Sequence, residues 1–314
     1  MGGYPGSGDR LPHPRGQYSV SSTGKGTANV SANIIDGKQI AQGVRADLAR
    51  QVAEIKQQGN HVGLDVILVG NDPASEIYVR NKVRACQEVG ITSNVHHLPG
   101  DTPENELMAL IQRLNYDPMV DGILVQLPLP KGISEVEIIA AISPRKDVDG
   151  FHETNVGRLM IGDMIFAPCT PYGIMKLLEV CKVEVQGSDA VVVGAGNVGK
   201  PISVMLMQAG ATVTVCHQHT RNLPEHTRRA DILVVAVGKP HMITADMVKP
   251  GAVVIDVGIN RLPDGKVTGD VDFDRVREVA SWITPVPGGV GPMTIAMLLE
   301  NTVQSARRNA ALSE

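Results

Sequence analysis

Tyr78 and Lys82 stand four residues apart in the run Asp72-Pro73-Ala74-Ser75-Glu76-Ile77-Tyr78-Val79-Arg80-Asn81-Lys82. On a helix that spacing puts a phenol and an amine on one face. An amine can act as a base near neutral pH only if its surroundings favour the neutral form. Bringing a lysine from about 10.4 to about 7.5 takes about 4 kcal/mol, supplied by burial or a neighbouring cation. Taken alone, such a pair is more often a surface contact with a snorkelling lysine. Gln126 adds weight, because it is polar and follows the apolar run Gly122–Val125. In open α/β sheets the carboxyl ends of strands are where ligands bind. Two further segments could supply chemistry or be ordinary turns. One is the acidic turn Lys146-Asp147-Val148-Asp149-Gly150, and the other is the Pro- and Gly-rich loop from Thr284 to Pro292 that carries Pro287, Gly288 and Gly289.

A second constellation is Val191-Val192-Val193-Gly194-Ala195-Gly196-Asn197-Val198-Gly199-Lys200, a GxGxxG pattern after an apolar run and before a helical stretch. Gly194 and Gly196 permit a tight turn and close approach of a pyrophosphate to a helix N-terminus, while Gly199 lets that helix lie close to the sheet. The next strand ends in Cys216-His217-Gln218-His219-Thr220-Arg221. It lacks the acidic residue that bonds the ribose hydroxyls in the common NAD pattern. Lys200, His217, His219 and Arg221 instead suit a 2′-phosphate, so NADP is the expected cofactor, with NAD possible. His217 and His219 do not complete a metal site, since no carboxylate or thiol set joins them beyond Cys216.

These residues need elements to hold them. Ile40, Val44, Leu48, Val52 and Ile55 recur at helical spacing, and Gly63–Val69 reads as a buried strand. The pattern predicts a helix near Ser75–Val89, a strand near Ile91–His97, a helix near Pro103–Leu114 and a strand at Gly122–Val125. Thr170 before Pro171 reads as an N-cap that starts a linking helix, Tyr172–Val180. Strands are expected at Ala190–Val193, Ala211–Cys216, Asp231–Val237 and Ala252–Val257, and a last helix at Met293–Arg308. The fold class is therefore α/β with two domains and two separate cores. An N-terminal α/β substrate domain spans 31–150, a Rossmann-type NAD(P)-binding domain spans 151–292, and a C-terminal helix, 293–310, returns to the first. Residues 1–30, rich in Gly, Ser and Pro, are expected to be a disordered tail, with an organellar presequence as the rival reading.

Composition narrows the partners. Aromatic residues make up 3% of the chain and net charge is −4. Neither stacking groups nor a strong field favours nucleic acid or an anionic membrane surface. Four dispersed cysteines read as reduced thiols, and no run of about 20 apolar residues suggests a membrane span. The expected address is cytoplasmic.

Taken in order, these segments resemble the tetrahydrofolate dehydrogenase and cyclohydrolase family from Ile34 to Arg308. Pro168-Cys169-Thr170-Pro171, Ala236-Val237-Gly238-Lys239-Pro240 and Val254-Ile255-Asp256-Val257-Gly258-Ile259-Asn260 share in it. The resemblance implies that Lys82 is the main catalytic group, Tyr78 lines the folate site, Gln126 contacts Lys82 and Asp149 holds the pterin. It places Pro287, Gly288 and Gly289 against substrate. It places Thr170, Gly194, Gly196, Asn197, Gly199, Lys200, His217, Val237, Gly238, Ile259 and Thr294 against the dinucleotide. It also implies tetrahydrofolate derivatives as partners, a homodimer, and a reversible NADP-linked oxidation of 5,10-methylenetetrahydrofolate followed by hydrolysis of the methenyl product. The chain departs from the family at the glycine turn, which is one residue shorter and lacks the usual arginine, and at Gln218, where serine is frequent. A cyclohydrolase with weakened dehydrogenase activity, a dinucleotide-sensing protein without catalysis, and a dehydrogenase of amino or hydroxy acids are the competing expectations.

Overall fold

The computed structural model describes residues 31–311; the expectations for residues 1–30 lie outside it. The first half runs β1 (Asn33–Ile34), α1 (Gly37–Gln57), β2 (Gly63–Val69), α2 (Pro73–Val89), β3 (Thr92–Leu98), α3 (Glu104–Tyr116), β4 (Gly122–Val125), α4 (Glu135–Ala141) and α5 (Glu153–Ile161). After α6 (Cys169–Val180) come β5 (Asp189–Val193), α7 (Gly199–Gln208), β6 (Thr212–Cys216), α8 (Leu223–Thr227), β7 (Ile232–Val235) and β8 (Val253–Asp256). A short hairpin of β9 (Asn260–Arg261) and β10 (Val267–Thr268) precedes α9 (Phe273–Val276), β11 (Trp282–Ile283) and α10 (Val290–Ala311).

Two parallel sheets result. One is three-stranded in the order β3-β2-β4, and the other is six-stranded in the order β1-β11-β8-β7-β5-β6. In each, the chain steps to one neighbour of its founding strand and then crosses to the other. β2 is flanked by β3 and β4, and β5 by β6 and β7. Such reversals leave a crevice beyond the carboxyl ends of the central strands. Both sheets therefore carry a natural binding edge.

Sequence locally explains where helices begin. Asp36 accepts from the backbone N–H groups of Lys38 and Gln39, each at 3.0 Å, and opens α1. Asp72 accepts from Ser75 N at 2.8 Å and, with Pro73 in the first turn, opens α2 ahead of the expected Ser75. The cap expected at Thr170 is corrected. The α6 helix begins at Cys169 behind Pro168, and Thr170 lies inside the first turn. Likewise α10 begins at Val290 rather than Met293, taking in Gly291 and Pro292. The first four N–H groups of a helix need no intrahelical partner, so a proline at the third position costs nothing there. The strand expected to reach Val237 stops at Val235, because the Val237 N–H turns to the Asp270 carboxylate at 2.7 Å.

Two larger corrections concern organisation. Asn33–Ile34, expected with the first domain, pairs in parallel with β11 at the edge of the second sheet. The core also does not divide in two. One apolar cluster runs from α1, α2 and β2 through α6 and α10 to α7, β5 and β8. Separate clusters cover the far face of each sheet. As expected, α10 packs back on the first domain, against α1 and α2 as well as α6.

Close backbone approach fixes this join. A Cβ on Gly37 would stand 1.8 Å from the Gly289 carbonyl oxygen, and one on Gly173 would stand 2.9 Å from Met293 Cβ. Gly37→Ala should cost about 1–3 kcal/mol in denaturant unfolding, since backbone must move. Gly157→Ala in α5, where a methyl meets no atom within 4 Å, should be neutral or stabilising; equal losses in both variants would contradict this account.

Candidate active site

The buried residues Val79, Ala85, Cys86 and Val89 press α2 on the core. Tyr78 and Lys82 share a neighbouring stripe of the same helix, Tyr78 being exposed and Lys82 half-buried. Gln126 leaves β4 at its carboxyl end, where its backbone N–H still bonds Ile67 O at 2.9 Å. Its side-chain N–H donates to Leu127 O at 2.6 Å, which turns Oε1 toward Lys82. Lys82 Nζ donates to that oxygen at 3.0 Å. A bridge between Ile123 and Asp147 runs the acidic turn parallel to β4 and carries Asp149 to the same edge.

That turn is braced from below. The buried Asp147 carboxylate accepts from Gly150 N at 3.2 Å, His152 N at 2.8 Å and Asn155 Nδ2 at 2.8 Å. Asn301 of α10 donates to Val148 O at 2.8 Å and Ala167 O at 3.0 Å, and Cys169 N donates to Asp149 O at 3.3 Å. Asp149 keeps part of its surface accessible. The dense protein around it nevertheless pushes its carboxyl above the ordinary carboxylate range, with the Lys82 charge pulling the other way. The site thus holds an amine bonded to an amide and a carboxyl poised to accept hydrogen bonds from a neutral or cationic heterocycle.

The second group of expected residues gathers at the carboxyl edge of the larger sheet. Gly194 has φ 118°, and a Cβ there would lie 2.1 Å from Ala236 O, so the turn after β5 lies against the loop after β7. A Cβ on Gly199 would be 1.7 Å from Gly194 O, whereas one on Gly196 meets nothing within 4 Å. The first two positions are closed by backbone and the third opens outward with Asn197 and Lys200, both exposed. Thr170 and Thr294 meet through their hydroxyls at 3.0 Å, joining the first turn of α6 to the second of α10. Val237, Gly238 and Ile259 sit on the loops after β7 and β8, and Ile259 is 54% exposed.

Beyond β6 the turn is self-closed. His217 N donates to Thr220 Oγ1 at 2.8 Å, and His219 N donates to His217 Nδ1 at 3.1 Å. The Pro287–Gly289 loop docks at the other end of the edge, where Lys38 N donates to Gly288 O at 3.1 Å. A cavity of about 290 Å³ lined by Cys181, Asp231, Lys249 and Trp282 lies at the amino ends of β7, β8 and β11, away from all these groups.

Sequence reasoning passed over Asp256, Asp270, Thr284 and Asn301. Asp256 ends the apolar run Val253–Ile255 just as Gln126 ends its own strand, so the same signal was present. Its carboxylate accepts from Gly258 N at 2.9 Å, Asp270 N at 3.0 Å and Val271 N at 3.0 Å, and its N–H donates to Thr284 Oγ1 at 2.7 Å.

Comparison with known proteins bears on all of this. The profile described as the tetrahydrofolate dehydrogenase/cyclohydrolase catalytic domain matches residues 35–149, and the profile for the NAD(P)-binding domain of the same enzymes matches 168–310. The chain is 58% identical over 280 residues to the bifunctional protein FolD of Cupriavidus necator, covering 89% of this chain and 99% of that one. It is 59% identical over 278 residues to the protein of the same name from Moorella thermoacetica, covering 88% and 99%. Among solved structures, the bifunctional FolD enzyme of Campylobacter jejuni superposes with a TM-score of 0.87 at 51% identity, covering 88% and 99%. The Trypanosoma brucei methylenetetrahydrofolate dehydrogenase-cyclohydrolase, complexed with NADP cofactor and inhibitor, gives 0.86 at 37% identity, covering 89% and 99%.

Burial pushes the Asp256 carboxyl up to about 6 from an ordinary 3.8, against the three N–H groups that lower it. A folded value above the unfolded one means that the native state holds this proton more tightly. The contribution is therefore full below about pH 4 and is lost as pH rises through about 6. Urea midpoints followed from pH 4 to 7.5 should show a fall in the wild type relative to Asp256→Asn; parallel curves would refute the assignment.

Proposed function

The chain belongs to the tetrahydrofolate dehydrogenase/cyclohydrolase family, and from that membership we propose how its own residues divide the work. It is a bifunctional enzyme that oxidises 5,10-methylenetetrahydrofolate to 5,10-methenyltetrahydrofolate with NADP, then hydrolyses that product to 10-formyltetrahydrofolate. The observation that carries the assignment of roles is the 3.0 Å bond between Lys82 and Gln126 at the same edge as Asp149.

Asp149 is proposed to take the pterin, whose adjacent ring and exocyclic N–H groups match the two oxygens of one carboxyl. Tyr78, exposed one helical turn from Lys82, offers its ring to the flat substrate. Pro287, Gly288 and Gly289 close the other side. In hydrolysis a water attacks the methenyl carbon, and neutral Lys82 takes its proton. Lys82 then returns its proton to N5 as the C–N5 bond breaks, the adduct's hydroxyl proton is released to solvent as its C=O forms, and the carbon stays on N10 as the formyl group. Gln126 holds that amine in line.

The residues fit a dinucleotide. Gly194 and Gly199 bring the β5–α7 turn close to the sheet, Gly196 leaves backbone open beside the N-terminus of α7, and the exposed turn 217–221 carries no acid. Asn197 would approach the pyrophosphate. Thr170, Val237, Gly238, Ile259 and Thr294 would face the nicotinamide half, and Lys200 and His217 the 2′-phosphate. NADP, when bound, accepts the hydride that leaves the methylene carbon. Positioning is the protein's contribution to that step.

The enzyme is further proposed to be a cytoplasmic homodimer. Cys86, Cys169, Cys181 and Cys216 are all free thiols, in keeping with a reducing compartment. Among the described residues no helix is long and apolar enough to cross a membrane. Among the described residues the seven-residue strand β3 pairs only with β2 and exposes Val95, so its other side is a ladder that a second copy would complete. Light scattering should give twice the chain mass for the wild type and the single mass for Val95→Lys; a monomeric wild type removes this reading.

Lys82→Met should abolish hydrolysis of methenyltetrahydrofolate while leaving the unfolding midpoint and NADP affinity near wild type. Hydrolysis at the wild-type rate by that variant would refute the role given to the amine.

A further inference from the structure

Asp270 lies behind the cofactor edge, fully buried. Its Oδ2 accepts from Val237 N at 2.7 Å and Gly238 N at 2.9 Å, and its Oδ1 accepts from Lys239 N at 2.9 Å and Asn260 Nδ2 at 2.8 Å. Three successive N–H groups turned on one anion form a nest of the kind that usually cradles a ligand. Here the chain supplies the anion itself. One carboxylate thereby gathers the loop after β7 and, through Asn260, the loop after β8. The second loop is pressed close, since a Cβ on Gly258 would stand 2.3 Å from the carboxylate. Asp270 is itself fixed by its N–H bond to Asp256 at 3.0 Å.

The opposite side of these loops is different. Gly238 has φ 67°, a region that favours glycine, and a side chain there would meet no atom within 4 Å. Ile259 is exposed beside it. The loops lie on the β7–β8 side of Gly194, away from β6 and the 217–221 turn. A dinucleotide whose pyrophosphate sits over the β5–α7 turn and whose 2′-phosphate sits beyond β6 must extend its nicotinamide half toward them.

We propose that Asp270 is a positioning residue for the nicotinamide half of NADP, holding Val237–Lys239 and the Ile259 loop in one preformed arrangement without touching the cofactor. The proposal rests on the NADP-linked reading above. A carboxylate is required because all four partners are donors. An amide in its place would turn an N–H₂ group on at least one of them.

Asp270→Asn should raise the KM for NADP at least tenfold, with kcat at saturating NADP within about twofold of wild type. At low fixed NADP the ratio of dehydrogenase to cyclohydrolase turnover should fall at least tenfold. A purely structural role would instead lower both activities and the thermal midpoint together, at any NADP concentration. That result, or an unchanged KM, overturns the proposal. Asn260→Ala removes a single bond and should shift KM in the same direction by a smaller factor; it decides the matter if Asp270→Asn does not fold. Calorimetric titration with NADP reads the same loss without turnover. A wild type that binds NADP tightly but does not oxidise the folate would defeat the functional reading while leaving this one standing.

Discussion

Helix α10 leaves the larger sheet and buries its face against α1 and α6, and the relation between the two halves of the molecule follows from that contact. Met293, Met297, Leu298 and Leu299 enter a core that also contains Val44 and Leu48 of α1 and Ile174 and Leu177 of α6. Helices approach closely because Gly173 has no side chain to hold Met293 away. With one core across both sheets, their relative placement is set by close packing rather than by a linker, and small volume changes there are felt at a distance. The polar contacts of α10 depend on the same seating. Asn301 reaches Val148 O and Ala167 O, and Thr294 reaches Thr170, only from this position.

Upon that frame each sheet uses the same device. Parallel strands end together, and the loops that follow expose backbone N–H groups that must find partners. At the smaller sheet Asp147 takes two such groups under the Asp149 turn. At the larger sheet Asp256 and Asp270 take six between them, together with the Asn260 amide. Burying a carboxylate is costly, and these are tolerated because nearly every lone pair is met by a donor. The side chains proposed to face substrate are less enclosed by donors: Lys82 Nζ bonds Gln126, and Asp149 keeps part of its surface accessible.

The edge proposed for the dinucleotide has a shortened glycine turn. With the family arginine absent, the remaining positive and donor groups come from Lys200 and the turn after β6, where Thr220 and the two histidines fix one another.

Much of this was legible in the residues. Apolar runs placed β2, β4, β5, β7 and β8 within a residue or two, since a strand buried on both faces must be apolar throughout. Gly194 and Gly199 marked the β5–α7 turn because the backbone there leaves no room for a Cβ, and Gln126 stood out as a polar residue at a strand's end. What sequence could not reveal depended on contacts between distant segments. Asn33–Ile34 reads as the entry to α1, yet its hydrogen bonds go to β11, some 250 positions away. The join of two cores into one arises when three amphipathic helices meet, and no single helix records its partners. Asp256 and Asp270 look like strand-end and turn acids until the loops they anchor are folded around them. Most element types and the chemistry available at each strand end follow from the residues alone; which ends share an edge and which carboxylates brace rather than bind follow from packing, because burial and hydrogen-bond partners are properties of the packed chain.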